Sequence, residues 1–151
     1  MEPIVIPLID MRAVLPELMV VITALVVLLG DLALGRDNKT PLAWVTLLGL
    51  ATSFVASAGI WADGTAGQAF NAMIAVDRFS LFFTALFAVA AFITVLMSVT
   101  YIRQEGINYG EFYVLILLAT VGMMLMAKAN DLMIVFLGLE TLSVSVYVLV
   151  G

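Results

Sequence analysis

The sequence contains no cysteine and no histidine. Without thiols it offers no disulfide, no zinc thiolate and no cysteine-ligated iron–sulfur cluster. Without imidazoles it offers no His-ligated haem, no His general base and no His metal site. Charge is sparse too: Asp, Glu, Lys and Arg make up 11% of the 151 residues, against about a quarter of an ordinary soluble domain. Six cations face eleven acids, so the basic excess of a nucleic-acid binder is missing. What the chain has in quantity is apolar, with 64% hydrophobic residues and a mean hydropathy of +1.21. A soluble fold cannot hide that much apolar surface, so lipid must be the solvent for much of it.

The chain starts Met1-Glu2-Pro3, and its first cation, Arg12, follows Glu2 and Asp10. A cleavable signal carries its cations ahead of its apolar run, so the apolar runs are read as permanent spans. Polar punctuation cuts the sequence into five of them, at about 15–34, 42–62, 79–102, 112–129 and 131–151. Each approaches the roughly 20 residues that a helix needs to cross the hydrocarbon. Helices are preferred because a span in lipid must satisfy its own backbone, and the runs lack the alternation of barrel strands. Pro3, Pro7, Pro16 and Pro41 all lie outside the spans or at their very start; Pro16 and Pro41 suit a first helical turn, where a missing N–H costs nothing. The expected fold is all-α, a polytopic membrane protein with five transmembrane helices forming a single transmembrane domain over 1–151.

Residues Lys128-Ala129-Asn130 make a link short enough to force the fourth and fifth spans to run antiparallel. The link Asp63–Arg78 is long and weakly amphipathic, enough for a short interfacial helix. Gly49, Ser53 and Ser57 form a stripe of small residues suited to close helix packing. Met123, Met124, Met126 and Met133 read as gap-fillers of a packed interior rather than a thioether copper site. Glu17 complements the dipole at the start of the first helix, Glu17, Asp31 and Asp77 are all near enough to span ends to reach the interface, and Lys128 and Asp131 are spaced for an exposed ion pair across the turn.

Glu140 stands apart. It lies nine residues past Asp131, roughly 13–14 Å into the span at 1.5 Å per residue, near the midplane. An ionisable group at that depth costs on the order of 2.5–3.5 kcal/mol on insertion scales and is a functional hypothesis by default. Ser143 and Tyr147 share its helical face at i+3 and i+7, and Thr141 and Ser145 form an adjacent polar stripe. Such a face is expected to look into protein or a wet cavity. Two readings stand at this point: proton or ion transfer at Glu140, and a structural hydrogen bond that glues two helices.

Several stretches resemble subunit N of the bacterial proton-pumping NADH–quinone oxidoreductase, respiratory complex I. They are Ala119-Thr120-Val121-Gly122-Met123-Met124, Ala129-Asn130-Asp131-Leu132 and Phe136-Leu137-Gly138-Leu139-Glu140, with Leu15-Pro16-Glu17, Gly30-Asp31 and Asp77-Arg78-Phe79-Ser80-Leu81-Phe82-Phe83 earlier in the chain. The resemblance implies an antiporter-like membrane-arm subunit, related to cation/proton antiporter subunits, that takes part in proton translocation coupled to electron transfer from NADH to quinone. It implies that Glu140 is the intramembrane proton-transfer carboxylate, supported by Ser143 and Tyr147, and that it pairs with a lysine on a later helix. It implies no cofactor or metal in this chain, with NAD, flavin, iron–sulfur clusters and quinone elsewhere in the complex. The implied partners are the other membrane subunits, the lipid bilayer and the C-terminal helices of the same subunit. Family members have many more spans than five, so the chain is expected to be an N-terminal portion that needs the rest. Lys128 departs from the family, which usually has a small or polar residue there.

The alternatives are a non-catalytic membrane scaffold with a structural Glu140, or a subunit of a cation/proton antiporter or membrane-bound hydrogenase. The expected location is the bacterial inner membrane, multi-pass. Charge alone nearly ties on orientation: Arg36, Lys39 and Arg103 fall on one side and Arg12, Arg78 and Lys128 on the other. Arg36 and Lys39 share one short loop, which favours a cytoplasmic first loop and a periplasmic N-terminus.

Overall fold

The computed structural model describes residues 11–34, 39–64, 67–105 and 110–151. The leader through Asp10, with Pro3 and Pro7, and the loop residues Arg36 to Asn38 lie outside the described residues. After a 3-10 turn at Met11–Val14 come five helices: α1 (Leu15–Ala33), α2 (Thr40–Asp63), α3 (Arg78–Glu105), α4 (Glu111–Lys128) and α5 (Leu132–Val150). All five are long and apolar enough to cross a membrane. Pro16 and Pro41 stand in the first turns of α1 and α2. Asp77 starts α3: its Oδ1 accepts the Ser80 N–H at 2.7 Å, while its own N–H donates to Ser80 Oγ at 3.0 Å, so two end groups that the helix cannot pair are satisfied reciprocally.

Helices α1 to α4 enclose an apolar core that includes Val20, Val27, Leu50, Val95, Leu117 and Met124. Helix α4 touches α1, α3 and α5, whereas α5 packs almost wholly on α4. The small-residue stripe of α2 packs as expected. A Cβ on Gly49 would overlap the Thr23 side chain of α1. Ser53 Oγ donates to the Pro16 carbonyl at 2.9 Å, and Ser57 Oγ donates to the Leu81 carbonyl of α3 at 3.1 Å. One stripe therefore serves two neighbours, and its hydroxyls are satisfied while buried.

The link between α2 and α3 is not an interfacial helix. It is a β-hairpin, with β1 (Gly67–Ala69) antiparallel to β2 (Ile74–Val76). Its tip holds Phe70, Asn71 and Ala72 at φ 54, 56 and 65, a left-handed conformation that costs about 1–2 kcal/mol for an ordinary residue. Long-range bonding holds the tip in place. Asn130 Nδ2 donates to the Ala72 carbonyl at 2.7 Å, the Asn130 N–H donates to the Met73 carbonyl at 2.9 Å, and Ile74 bridges Ala129. Ala69 and Val76 are buried with Ala13 and Leu81. The hairpin thus ties the α4–α5 turn to the start of α1, and these tertiary bonds outweigh the weak local amphipathicity.

Candidate functional site

Helix α5 begins at Asp131, whose Oδ1 caps the Met133 N–H at 2.7 Å. Glu140 follows eight residues after Leu132, roughly 12 Å along the helix. It is exposed, on the part of α5 that α4 does not cover. Tyr147, on the same face, is 74% exposed, and Ser143 is half-buried. Among the described residues no cation and no hydrogen-bond donor meets the Glu140 carboxylate. The neighbouring hydroxyls behave differently. Thr141 donates to the Leu137 carbonyl at 2.8 Å and the buried Ser145 to the Thr141 carbonyl at 2.7 Å. Their protons are committed to their own helix, which leaves Ser143 and Tyr147 as the hydroxyls beside Glu140.

Glycine sets how α5 lies on α4. A Cβ on Gly122 would come within 2.7 Å of the Gly138 carbonyl oxygen and 2.8 Å of the Leu142 nitrogen; one on Gly138 would meet the Gly122 oxygen at 2.8 Å. Backbone meets backbone at this crossing, two residues before Glu140.

Lys128 and Asp131 do not form an ion pair. Asp131 caps α5, and Lys128, only 1% exposed, reaches back to Glu17 at the start of α1, which is 3% exposed. Lys128 Nζ donates to Glu17 Oε2 at 3.0 Å and to the Ala13 carbonyl at 2.8 Å. It also lies 2.8 Å from Glu17 Oε1, an ionic contact without hydrogen-bond geometry. The charges suit their helices, an anion in the first turn of α1 and a cation in the last turn of α4. Asp31 is likewise drawn in, where the sequence suggested a residue reaching for the interface. Its Oδ1 pairs with Lys39 at 2.7 Å and accepts the Gly110 N–H ahead of α4 at 2.9 Å. Both acids of α1 therefore hold α4, one at each end. The sequence carried a signal for this: the start of the first span and the end of the fourth fall on one membrane side, where Glu17 and Lys128 have opposite charge.

Met124 is fully buried in the core, Met126 lies against Gly138 and Met133 is exposed. Among the described residues no three His, Cys, Asp or Glu side chains cluster as metal ligands would.

No family model matches the chain. Curated relatives do. The NADH-quinone oxidoreductase subunit N of Trichlorobacter lovleyi is 40% identical over 143 residues, which cover 95% of this chain and 29% of that protein. The NAD(P)H-quinone oxidoreductase subunit 2 of Trichodesmium erythraeum is 44% identical over 143 residues, 93% of this chain and 26% of that protein. Among solved structures, respiratory complex I from Thermus thermophilus with bound aureothin contains a chain that matches with a TM-score of 0.71 at 28% identity, over 89% of this chain and 28% of that one. The chain thus spans under a third of the length of these relatives, and over nearly all of its own length it is similar to NADH-quinone oxidoreductase subunit N and NAD(P)H-quinone oxidoreductase subunit 2.

Proposed function

We propose that the chain is part of a membrane-arm subunit of a proton-translocating NADH–quinone oxidoreductase, and that Glu140 is a carboxylate through which protons pass. The observation that carries this is the placement of Glu140. It sits well inside an apolar span, on a face that the other described helices leave open, with Ser143 and Tyr147 beside it and no cation among the described residues. A carboxylate is kept in a membrane when it faces a partner or a water-lined cavity. On this reading a cationic helix from the remainder of the subunit covers that face, and the carboxylate exchanges a proton as the charge opposite it comes and goes. The five spans form one transmembrane domain and redox chemistry takes place in other subunits.

Glu140→Gln in the assembled complex keeps the shape of the side chain and removes its charge. The expected result is intact assembly, continued electron transfer from NADH to quinone and a strong loss of proton pumping. Normal pumping by this variant would favour a scaffold with a structural Glu140.

The proposed location is the bacterial inner membrane, with the N-terminus periplasmic. The chain has no cysteine of its own, so a cysteine introduced here is the one reactive thiol of this stretch. An impermeant thiol reagent added from outside should label Glu2→Cys and miss Asn38→Cys; the opposite pattern would reverse the orientation.

A further inference from the structure

We infer that the Glu17–Lys128 pair is a positioning clamp for Glu140, an inference that rests on the proton-transfer reading above. Lys128 Nζ is surrounded by three oxygens, both of Glu17 and the carbonyl of Ala13. A buried ammonium held in this way is fixed in place, unlike the mobile groups of a proton relay. What it fixes is the end of α4. Only Ala129, Asn130 and Asp131 separate Lys128 from α5, and Asn130 and Ala129 are bonded to the hairpin. The turn therefore cannot move while the pair holds.

The height of α5 follows from that turn. Gly122 lies six residues before Lys128 and Gly138 six residues after Leu132, each about 9 Å from the turn. The two glycines meet at one depth, and turn and crossing together fix α5 against α4. Helix α5 has almost no other support. The α4–α5 unit meets α1 through apolar side chains and two polar ties, Asp31 to Gly110 at the start of α4 and Glu17 to Lys128 at its end. With the clamp released, Asp31 still holds the start of α4, so the end of α4 and its turn would shift against α1, and Glu140 would change position with the turn.

The test uses the assembled complex and the infrared carboxyl signal of Glu140, identified as the band that Glu140→Gln removes. Lys128→Met should shift that band and lower the protons pumped per electron, and Lys128→Arg should restore both in part. Lys128→Met leaves Glu17 buried without a partner, and its assembly can fail for that reason alone. The double variant Glu17→Gln/Lys128→Met removes both charges, so it assembles and should show the same band shift and pumping loss. A purely structural pair would leave the band and the pumping of the assembled double variant unchanged, and that outcome overturns the clamp. Normal pumping by Glu140→Gln overturns the proton-transfer reading instead, so the two failures are told apart.

Discussion

Glu17→Gln is expected to destabilise the folded protein by about 3–5 kcal/mol, the usual cost of removing one partner from a buried ion pair. The amide keeps the volume of the carboxylate and can still accept one hydrogen bond, but Lys128 stays 1% exposed with its charge unopposed. Ala13 supplies only a carbonyl dipole. Adding Lys128→Met to this change should recover most of the loss, because replacing both partners by well-packed uncharged groups is often neutral. Unfolding of the detergent-solubilised protein in a denaturant series reads the difference. Equal destabilisation by the single and double variants would show that the pair contributes through packing and not through charge.

The second large effect is expected at Gly122. A valine there would press into the Gly138 carbonyl and the Leu142 nitrogen, both backbone atoms, so no side chain can swing aside. Overpacking of this kind costs roughly 1–3 kcal/mol or more, and the cheapest relief is for α5 to part from α4. Gly59 of α2 is the control, because a Cβ there meets nothing within 4 Å. Gly59→Ala should be neutral or mildly stabilising through helix propensity, whereas Gly122→Val should lower the melting temperature of the protein and the yield of assembled complex. A Gly122→Val protein that melts and assembles like the unsubstituted one would refute the seam.

The parts of this structure that could be read from sequence are those that lipid dictates locally. Five apolar runs become five helices because a backbone in hydrocarbon has no other way to pair its polar groups. Pro16 and Pro41 mark helix starts because proline fits only there, and Gly49, Ser53 and Ser57 announce a close crossing because nothing larger would fit. Glu140 was legible as an exception to the same rule. The rest depends on residues far apart in the chain. Nothing local in Asp63–Arg78 specifies a hairpin; Asn130, some sixty positions on, bonds to its tip. Lys128 had an acid three residues away and paired instead with one 111 residues away, because Asp131 was committed to capping α5. Local spacing ranks candidate partners by proximity in sequence, whereas burial ranks them by which charge would otherwise be stranded.

The two acids of α1 also set a timetable for making the protein. Asp31 meets its lysine eight residues later, at Lys39, so that end of the helix is neutralised almost as soon as it is synthesised. Glu17 must wait for Lys128, 111 residues downstream. At about 5–20 residues per second, translation takes about 5–20 s to cover that stretch. Throughout that interval the Glu17 carboxylate in the first turn of α1 has no Lys128 to pair with. Helix α1 therefore waits for α4 before both of its acids are neutralised, and insertion of α4 completes that contact at both ends.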